Sequence, residues 1–376
     1  MNIVIINCFD TYENRIDLVY DFLKSNNHKV KVVQSNFRHF KKSYRKGKKK
    51  DFIFVDTKSY YKNISIKRLL SHYFFAKKAF EIVEDIQPDL IYTIVPPNFT
   101  TKFASLYTKK NKDVKLVFDI IDLWPETMPI GLIKKIPPFT FWRNMRDKNL
   151  KQADFIITEC DLYQKVLDDK IQDIKTETLY LAKKDIEIDL EADLSEKSFD
   201  ICYLGSINNI IDIDLITSII SELNKLKPTT LHIIGDGENK DKLISSVKKS
   251  GAQVNFYGEI YDSKVKQSIF KRCHFGLNIM KSNVCVGLTM KSIDYFQFGL
   301  PIINNIGYDT EEIVVNNKVG FNIINGKIDK LINNLKDISN NEYKNMRYNS
   351  RNVYEKHFSI DSFNKKLSSF NVFSKS

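Results

Sequence analysis

Residues 286–301 combine side chains and spacing that could bind a phosphorylated ligand. The apolar run that ends near Met280 predicts a strand, and Thr289 is suited to cap the helix that should follow it. Free backbone N–H groups and the positive dipole end of that helix would bind a diphosphate, and Lys291 in the first turn would add a full charge. Asp294, one turn further on, could accept hydrogen bonds from ribose hydroxyls. The same spacing also suits an ordinary loop, helix and strand, so both interpretations stay open.

Two glycine turns follow predicted strands in the second half of the chain. Gly205 and Ser206 follow the run that ends at Leu204, and Gly235 begins the turn after Ile234. A glycine lets a ligand or another backbone segment approach closely. Many connections between a strand and a helix contain glycine for purely local reasons, so these turns alone do not predict a binding site.

Acidic side chains cluster at the end of a predicted strand in the first half. Residues 118–126 contain Asp119, Asp122 and Glu126 beside Trp124. Asp122 or Glu126 could accept a proton from, or orient, an attacking hydroxyl group. Alternatively, Asp119 and Asp122 cap the following turn, and Trp124 is partly buried packing.

The elements that must position these residues alternate between strand and helix. Short apolar runs are separated by longer stretches rich in charged residues, which predicts parallel sheets with crossover helices. The predicted strands are 3–7, 29–33, 90–94, 116–120 and 155–158, then 200–204, 231–234, 253–256, 275–279, 301–304 and 320–323.

Residues 181–198 are acidic and polar without a clear period, which predicts a connection between domains. We therefore predict an α/β fold with two Rossmann-like parallel-sheet domains, residues 1–180 and 181–353. Sheets of this kind bind ligands at the carboxyl ends of their strands, so the two domains are expected to face a central cleft.

The composition indicates a folded protein with an anionic partner. The 376 residues fit two domains better than one. The 58 Lys and Arg exceed the 46 Asp and Glu, which gives a net charge of +12 and suits phosphorylated ligands, anionic lipid or nucleic acid. Nucleic acid is disfavoured because the sequence has no zinc-finger spacing, RNP-like motif or long basic helix with a heptad seam. The five cysteines lack metal-like spacing, so no metal site is expected.

Two basic stretches, residues 37–50 and 130–146, interleave cations with aromatic or apolar side chains. Such a surface can lie on an anionic bilayer, although a solvated loop or packing on the parent domain would also explain it. The sequence has no secretory signal pattern and no run of roughly 18 apolar residues. We therefore expect a cytoplasmic protein that is peripheral at the inner face of the cell membrane. His39 and His72 are expected to be hydrogen-bonded structural residues.

Taken together, these motifs resemble the retaining family 4 glycosyltransferases of the GT-B type, in the subgroup that assembles bacterial capsule and O-antigen polysaccharides. The second half carries Tyr-Leu-Gly205, Ile-Ile-Gly235-Asp-Gly and Val-Asn-Phe-Tyr-Gly258. Lys291, Asp294, Tyr295, Gly299 and Pro301 match the motif K-x-x-[ED]-Y-x-x-x-G-x-P. In the first half, residues 122–126 read Asp-Leu-Trp-Pro-Glu, as in that subgroup.

This resemblance implies an enzyme that moves a hexose or N-acetylhexosamine from a nucleotide-diphosphate sugar, a UDP-sugar above all, to a lipid-linked saccharide. It places Gly258 and Glu259 by the base, Asp294 by the ribose, and Gly287, Leu288, Thr289 and Lys291 by the diphosphate. It implies retention of configuration without a protein nucleophile, no metal, and a C-terminal helix over 354–376 that packs back on the first domain.

The sequence departs from the family pattern at a pair of glutamates, where Val286 and Asp294 stand instead. Two alternatives to a transferase therefore stay open. One is a catalytically silent GT-B partner subunit of another glycosyltransferase. The other is a sugar-nucleotide epimerase of the same fold, which would need acid and base residues on both sides of the sugar.

Overall fold

The structure, a computed structural model of the 376-residue chain, describes residues 1–62, 65–128 and 130–374. Two compact units are present. The first contains the chain from Met1 to Ala182 and again from Phe363 onward, and the second contains Lys183–Ser362. Both units are α/β with a parallel sheet, which confirms the predicted fold class.

The sheet of the first unit has seven parallel strands in the order β5-β2-β1-β6-β7-β8-β9. A two-stranded antiparallel hairpin, β3 with β4, follows β2 along the chain. The strands are β1 (Asn2–Asn7), β2 (Lys29–Ser35), β3 (Phe37–Arg38), β4 (Ser43–Tyr44), β5 (Phe52–Val55), β6 (Leu90–Val95), β7 (Lys115–Ile120), β8 (Phe155–Thr158) and β9 (Thr176–Thr178).

Helices cover this sheet because its central strands are apolar on both faces. All six residues of β6 are buried, as expected for a parallel strand between two helical layers. The helices are α1 (Glu13–Ser25), α2 (Ile66–Ile86), α3 (Asn98–Lys110), α4 (Phe139–Leu150) and α5 (Asp161–Ile171), with short 3-10 helices at Asp10–Tyr12 and Gly131–Lys135.

The C-terminal end of the chain completes the core of the first unit. Phe363, Leu367 and Phe370 are buried in the cluster that contains the strand residues Ile3 and Phe155. The segment that joins this unit begins at Phe363, later than the 354–376 stretch expected from the sequence, because residues 354–362 belong to the second unit. Residues 375 and 376 of that stretch lie outside the described residues.

The sheet of the second unit has six parallel strands in the order β12-β11-β10-β13-β14-β15. The strands are β10 (Phe199–Leu204), β11 (Thr229–Ile234), β12 (Gln253–Gly258), β13 (Phe275–Asn278), β14 (Ile302–Asn304) and β15 (Gly320–Asn322). The helices are α6 (Ile213–Leu226), α7 (Lys240–Lys249), α8 (Ser263–Phe270), α9 (Met290–Gln297), α10 (Asp309–Asn317), α11 (Asp329–Asp337) and α12 (Asn340–His357), and α13 (Ile360–Ser368) runs across the boundary between the units.

The strand order of the second unit reverses between β10 and β13, the first and fourth strands along its chain. Helices that follow neighbouring strands on the two sides of such a reversal cover opposite faces, which opens a crevice at the carboxyl ends of these strands. The turn after β10 and the loop between β13 and α9 both lie at this switch point. A ligand of this unit is therefore expected there.

None of the helices in the described parts of the chain is long and apolar enough to cross a membrane.

Candidate functional site

The N-terminus of α9 is held rigidly against the sheet. The side chain of Thr289 accepts a hydrogen bond from the backbone N–H of Ser292 at 3.1 Å, which makes it the N-cap predicted from the sequence. The Thr289 hydroxyl also donates to the amide oxygen of Asn278 at 2.7 Å. Within residues 1–62, 65–128 and 130–374, the backbone N–H groups of Met290 and Lys291 have no hydrogen-bond acceptor. The helix therefore begins with two N–H groups that a ligand could satisfy.

Lys291 is buried without a carboxylate to compensate its charge. Its side chain lies over the ring of Tyr203, with the ammonium nitrogen 4.6 Å from the ring centre and 3.4 Å from the hydroxyl oxygen. Among the described residues no Asp or Glu forms an ion pair with it. Burial lowers the pKa of Lys291 to about 8. A buried ammonium without a counterion is costly, so this position favours an anionic ligand.

Two candidate glycines of the second unit, Gly205 and Gly287, have different surroundings. A Cβ atom at Gly205 would lie 3.9 Å from Cε of Lys291, so this turn borders the lysine. Gly287 and Leu288 are buried in the loop that precedes α9. The carbonyl oxygen of Gly287 accepts hydrogen bonds from the N–H and the hydroxyl of Thr310 at 2.9 and 2.6 Å. These bonds fix the loop that leads into the helix.

Gly235 packs the turns of neighbouring strands against each other. A Cβ atom there would lie 2.1 Å from the carbonyl oxygen of Gly205, and its φ is +140°. The N–H of Gly235 donates to the carbonyl of Gly258 at 2.7 Å, and the N–H of Gly205 donates to the carbonyl of Ile234 at 2.9 Å. Gly235 therefore acts through backbone packing beneath the candidate site, whereas a Cβ at Gly258 would meet open space.

Ser206 and Glu259 lie at the surface. The carbonyl oxygen of Ser206 accepts a hydrogen bond from the hydroxyl of Tyr203 at 2.9 Å, so this residue holds the ring beneath Lys291. Glu259 follows the last residue of β12, and its hydrogen bond with Tyr261 raises the pKa of that phenol. Its carboxylate is exposed at the edge of the sheet, two strands from the switch point.

Asp294 is already paired with two lysines, which the sequence did not predict. Its carboxylate lies 2.5 Å from the ammonium of Lys183 and 3.7 Å from that of Lys266. Burial lowers the pKa of Lys183, and the Asp294 carboxylate opposes this shift. The charge of Asp294 is therefore compensated before a ligand binds. A ribose at this position would contact an ion pair of lysine and carboxylate.

In the first unit, Asp122 is held by its own loop. Its two carboxylate oxygens accept hydrogen bonds from the indole N–H of Trp124, at 2.6 Å, and from the hydroxyl of Thr127. Burial raises the pKa of Asp122 despite these two bonds. The carboxyl group is thus oriented, and its environment makes it a better proton acceptor than an exposed aspartate.

Glu126 is committed to an ion pair, which argues against the proton-accepting role offered for it. Arg146 reaches its two oxygens at 2.9 and 3.1 Å, and Arg143 lies 2.7 Å from one of them. Arg146 also donates to the carbonyl of Trp124 at 2.9 Å. This geometry fixes the 122–126 loop on α4. Asp119 likewise pairs with buried Arg15 at 2.7 Å and does not cap the turn.

An aromatic cluster surrounds this loop. The hydroxyl of Tyr60 lies 2.8 Å from Nδ1 of His39 and 3.2 Å from Nε2 of His72. Burial lowers the pKa of His39 to about 4 and holds that of His72 well below its usual value, so both imidazoles are neutral near pH 7. The ring of Phe9 packs against both histidines and Trp124. The histidines were predicted as structural residues, but Phe9 and Tyr60 had no sequence signal.

The structure thus brings together Gly205, residues 287–289 and Lys291 in the second unit, with Asp294 one turn along the same helix. In the first unit it brings Asp122 to an aromatic cluster. In the part of the chain that the structure describes, no group of three or more His, Cys, Asp or Glu side chains is placed to hold a metal ion.

Solved structures share this fold, which is that of the GT-B glycosyltransferases. Anabaena Alr3699/HepE in complex with UDP matches with a TM-score of 0.68 and 13% identity over 98% of both chains. The lipopolysaccharide outer core galactosyltransferase WaaB matches with a TM-score of 0.69 and 14% identity over 98% of both chains. WaaG, a glycosyltransferase involved in lipopolysaccharide biosynthesis, matches with a TM-score of 0.65 and 11% identity over 100% of both chains. At these identities the likeness establishes the fold alone.

The sequence of the second unit also matches a protein-family model. Residues 185–353 match the family model described as glycosyl transferases group 1. This range contains the turn after β10, the loop before α9 and Lys291. A search of the curated proteins found no match to the chain.

Proposed function

We propose that the protein is a glycosyltransferase that moves a hexose or N-acetylhexosamine from a nucleotide-diphosphate sugar to a lipid-linked saccharide or related glycan. The observation that carries this proposal is the buried, uncompensated ammonium of Lys291 at the open N-terminus of α9. The family match of residues 185–353 supports it, because that range holds the whole candidate donor site. A UDP-sugar is the donor that we propose, since the similar Alr3699/HepE structure contains UDP.

In this proposal the second unit binds the donor. The diphosphate accepts hydrogen bonds from the N–H groups of Met290 and Lys291 and from the Lys291 ammonium. Asp294 lies by the ribose, and Gly258 with Glu259 lies by the base. The ammonium and the helix dipole would stabilise the charge that develops on the departing diphosphate, so we expect no metal ion to be needed.

The proposed reaction retains the configuration at the anomeric carbon. The acceptor hydroxyl oxygen forms a bond to that carbon while the bond from the carbon to the diphosphate oxygen breaks. The proton of the hydroxyl passes to a departing phosphate oxygen on the same face, so no protein nucleophile is required. Asp122 would orient the hydroxyl through a hydrogen bond, and Glu126 would keep the loop in place.

We further propose a role in bacterial polysaccharide assembly, such as capsule or O-antigen synthesis, at the cytoplasmic face of the cell membrane. Apolar side chains are exposed beside cations in both basic stretches. Phe40 is 73% exposed in the first, and Leu132 and Phe141 are 77% and 70% exposed in the second. Such surfaces bind anionic bilayers peripherally, and salt weakens the attraction.

The experiment that tests the transferase is release of nucleoside diphosphate from a panel of nucleotide sugars, with and without membrane extract. A transferase releases UDP faster when an acceptor is present. No release from any donor, with UDP binding intact, would contradict a transferase and support a catalytically silent partner subunit. That alternative is favoured by Val286, which stands where the family pattern has a glutamate. An epimerase would instead convert the donor into its epimer without net release of UDP.

A further inference from the structure

Tyr60 is hydrogen-bonded to two imidazoles in the first unit. Its hydroxyl oxygen lies 2.8 Å from Nδ1 of His39 and 3.2 Å from Nε2 of His72. Burial raises the pKa of the Tyr60 phenol and lowers the pKa of both histidines, so all three groups are neutral near pH 7. The phenol can donate only one hydrogen, and each neutral imidazole carries one N–H. One histidine therefore donates to Tyr60, and the other accepts from it.

The surroundings of His72 decide which histidine accepts. His72 is fully buried, and its Nδ1 atom has no hydrogen-bond partner in the described part of the chain. Buried N–H groups without an acceptor are rarer than buried acceptor atoms without a donor, so the hydrogen of His72 belongs on Nε2. His72 therefore donates to Tyr60, and Tyr60 donates to Nδ1 of His39.

This order of hydrogens leaves the N–H of His39 on Nε2. Because Nδ1 accepts from Tyr60, the single hydrogen of the neutral imidazole must lie on the other nitrogen. Among residues 1–62, 65–128 and 130–374, no group forms a hydrogen bond with Nε2 of His39, and this nitrogen is not buried. The half-buried His39 therefore presents one N–H donor to solvent, without a positive charge.

The segment that carries His39 is held against the loop that follows β1. The carboxylate of Asp10 accepts hydrogen bonds from the backbone N–H groups of Phe40 at 2.8 Å and Lys41 at 3.3 Å. The His39 ring packs edge-on against the ring of Phe9, with 5.2 Å between the ring centres. The backbone and the ring are both fixed, so the donor is oriented before a ligand binds.

His39 and Asp122 lie on the two sides of the switch point of the first sheet. The strand order reverses between β1 and β6. His39 follows β2 and β3 on the β1 side, and Asp122 follows β7 on the β6 side, both at the carboxyl ends of the strands, where ligands bind. The Phe9 ring centre also lies 5.4 Å from that of Trp124, whose indole donates to Asp122 at 2.6 Å. Sugar hydroxyls both donate and accept, so they match an N–H donor on one side and a carboxylate on the other.

We propose that His39 donates a hydrogen bond from Nε2 to a hydroxyl oxygen of the acceptor sugar, while Asp122 orients the hydroxyl that reacts. Tyr60 and His72 are positioning residues that act through His39. This assignment rests on the proposed function. It gives His39 a part in acceptor binding, whereas the sequence predicted only a structural role for it.

NMR spectroscopy tests the position of the hydrogen independently of activity. In protein with isotope-labelled histidines, long-range proton–nitrogen correlations identify the ring nitrogen that carries the hydrogen, and His39→Gln assigns the His39 signals among the six histidines. Wild-type His39 should be neutral with its hydrogen on Nε2. Tyr60→Phe should add a population with the hydrogen on Nδ1, because the bond that keeps Nδ1 an acceptor is lost. A wild-type His39 with its hydrogen on Nδ1, or charged near pH 7, would overturn the proposal.

Two substitutions of His39 distinguish a specific hydrogen bond from a general loss of packing. The amide nitrogen of Gln can reach the place of Nε2, whereas that of Asn reaches only the place of Nδ1. UDP release is measured against increasing amounts of membrane extract, which supplies the acceptor. The amount needed for a half-maximal rate should rise about tenfold in His39→Asn and less than about threefold in His39→Gln. UDP affinity should be unchanged in both variants, which shows that they fold.

The results separate this proposal from the transferase itself. Equal losses in the two variants would assign His39 to packing, and an unchanged requirement for extract in His39→Asn would remove it from acceptor binding. Either result overturns the proposal while the transferase stands. If the wild-type protein releases UDP from no donor, the transferase is wrong and the acceptor role of His39 is wrong with it, whereas the position of the hydrogen on His39 is decided by NMR alone.

Discussion

The ammonium of Lys291 lies 3.4 Å from the hydroxyl oxygen of Tyr203 and 4.6 Å from the centre of its ring. An aromatic face and one hydroxyl stabilise a buried cation only in part, whereas a diphosphate would provide several charge-assisted hydrogen bonds. Tyr203 keeps the ammonium at the start of α9 by donating its own hydroxyl hydrogen to the Ser206 carbonyl. The lysine is therefore positioned before any anion binds.

Lys291→Met should weaken UDP binding by about 10- to 100-fold, because one charge-assisted contact to phosphate is lost. Isothermal titration calorimetry with UDP would measure this. The control is Lys271→Met, in which an exposed lysine paired with Asp189 is removed from the same unit. If Lys291→Met binds UDP as tightly as the wild type does, the Lys291 side chain does not bind the phosphates.

The lowered pKa of Lys291 predicts a pH dependence of UDP binding. Only the ammonium form attracts phosphate, and its population falls as the pH rises through about 8. UDP affinity should therefore drop about tenfold between pH 7 and pH 9, and binding near pH 8 should take up protons. Calorimetry in buffers with different ionisation enthalpies measures both effects. If UDP affinity still falls between pH 7 and pH 9 in Lys291→Met, the pH dependence comes from another titratable group.

The lowered pKa of Lys291 also makes the stability of the ligand-free protein depend on pH. This stability should rise with pH, whereas UDP affinity should fall. The unfolded chain binds this proton more tightly than the folded chain, because the pKa of Lys291 is lowered on folding from 10.5 to about 8. The contribution of Lys291 to the free energy of unfolding should therefore rise between pH 8 and pH 10.5. Comparison of wild type with Lys291→Met in denaturant titrations isolates this contribution.

Gly235→Ala should destabilise the second unit by about 3 kcal/mol, because its Cβ would overlap the Gly205 carbonyl and its φ disfavours a side chain. Gly258→Ala is the control for a positive φ without a close contact. Its φ of +69° lies in the left-handed region, which alanine can adopt at a small cost, and a Cβ there meets open space, so about 1 kcal/mol is expected. Urea unfolding of the two variants compares them. Equal losses would show that the contact between the two turns contributes little.

The central strands could be predicted from sequence because they are continuous apolar runs. The prediction for 155–158 coincides with β8, and the predictions for 90–94 and 231–234 fall within β6 and β11. The edge strands β5 and β9 were missed. They are four and three residues long and only partly buried, so their strand conformation depends on pairing with a neighbour more than on a pattern of their own.

The candidate site was predictable where its residues are close in sequence. The cap Thr289 and the neighbouring Lys291 follow from local helix chemistry. The pairing of Asp294 with Lys183 does not, because Lys183 lies in a distant polar connection without a motif. The ion pair between Glu126 and Arg146 could not be predicted for the same reason, since Arg146 lies twenty residues further along the chain in α4. Sequence spacing identifies the groups but not the partners that tertiary packing brings to them.

Asp122 and Glu126 should differ sharply when each is replaced by its amide. Asp122→Asn keeps the hydrogen bonds to one oxygen but removes the charge that would orient an acceptor hydroxyl, so the transfer rate should fall about 100-fold while UDP affinity is unchanged.

Glu126→Gln leaves Arg146 less compensated and should lower the free energy of unfolding by about 3 kcal/mol. Its transfer rate, measured well below the unfolding temperature, should stay within a few-fold of wild type. Rates of UDP release at saturating donor and thermal unfolding curves of both variants measure the two effects. A large rate loss in Glu126→Gln with unchanged stability would reverse the roles assigned to the two carboxylates, because the ion pair with Arg146 would then be serving the reaction and not the loop.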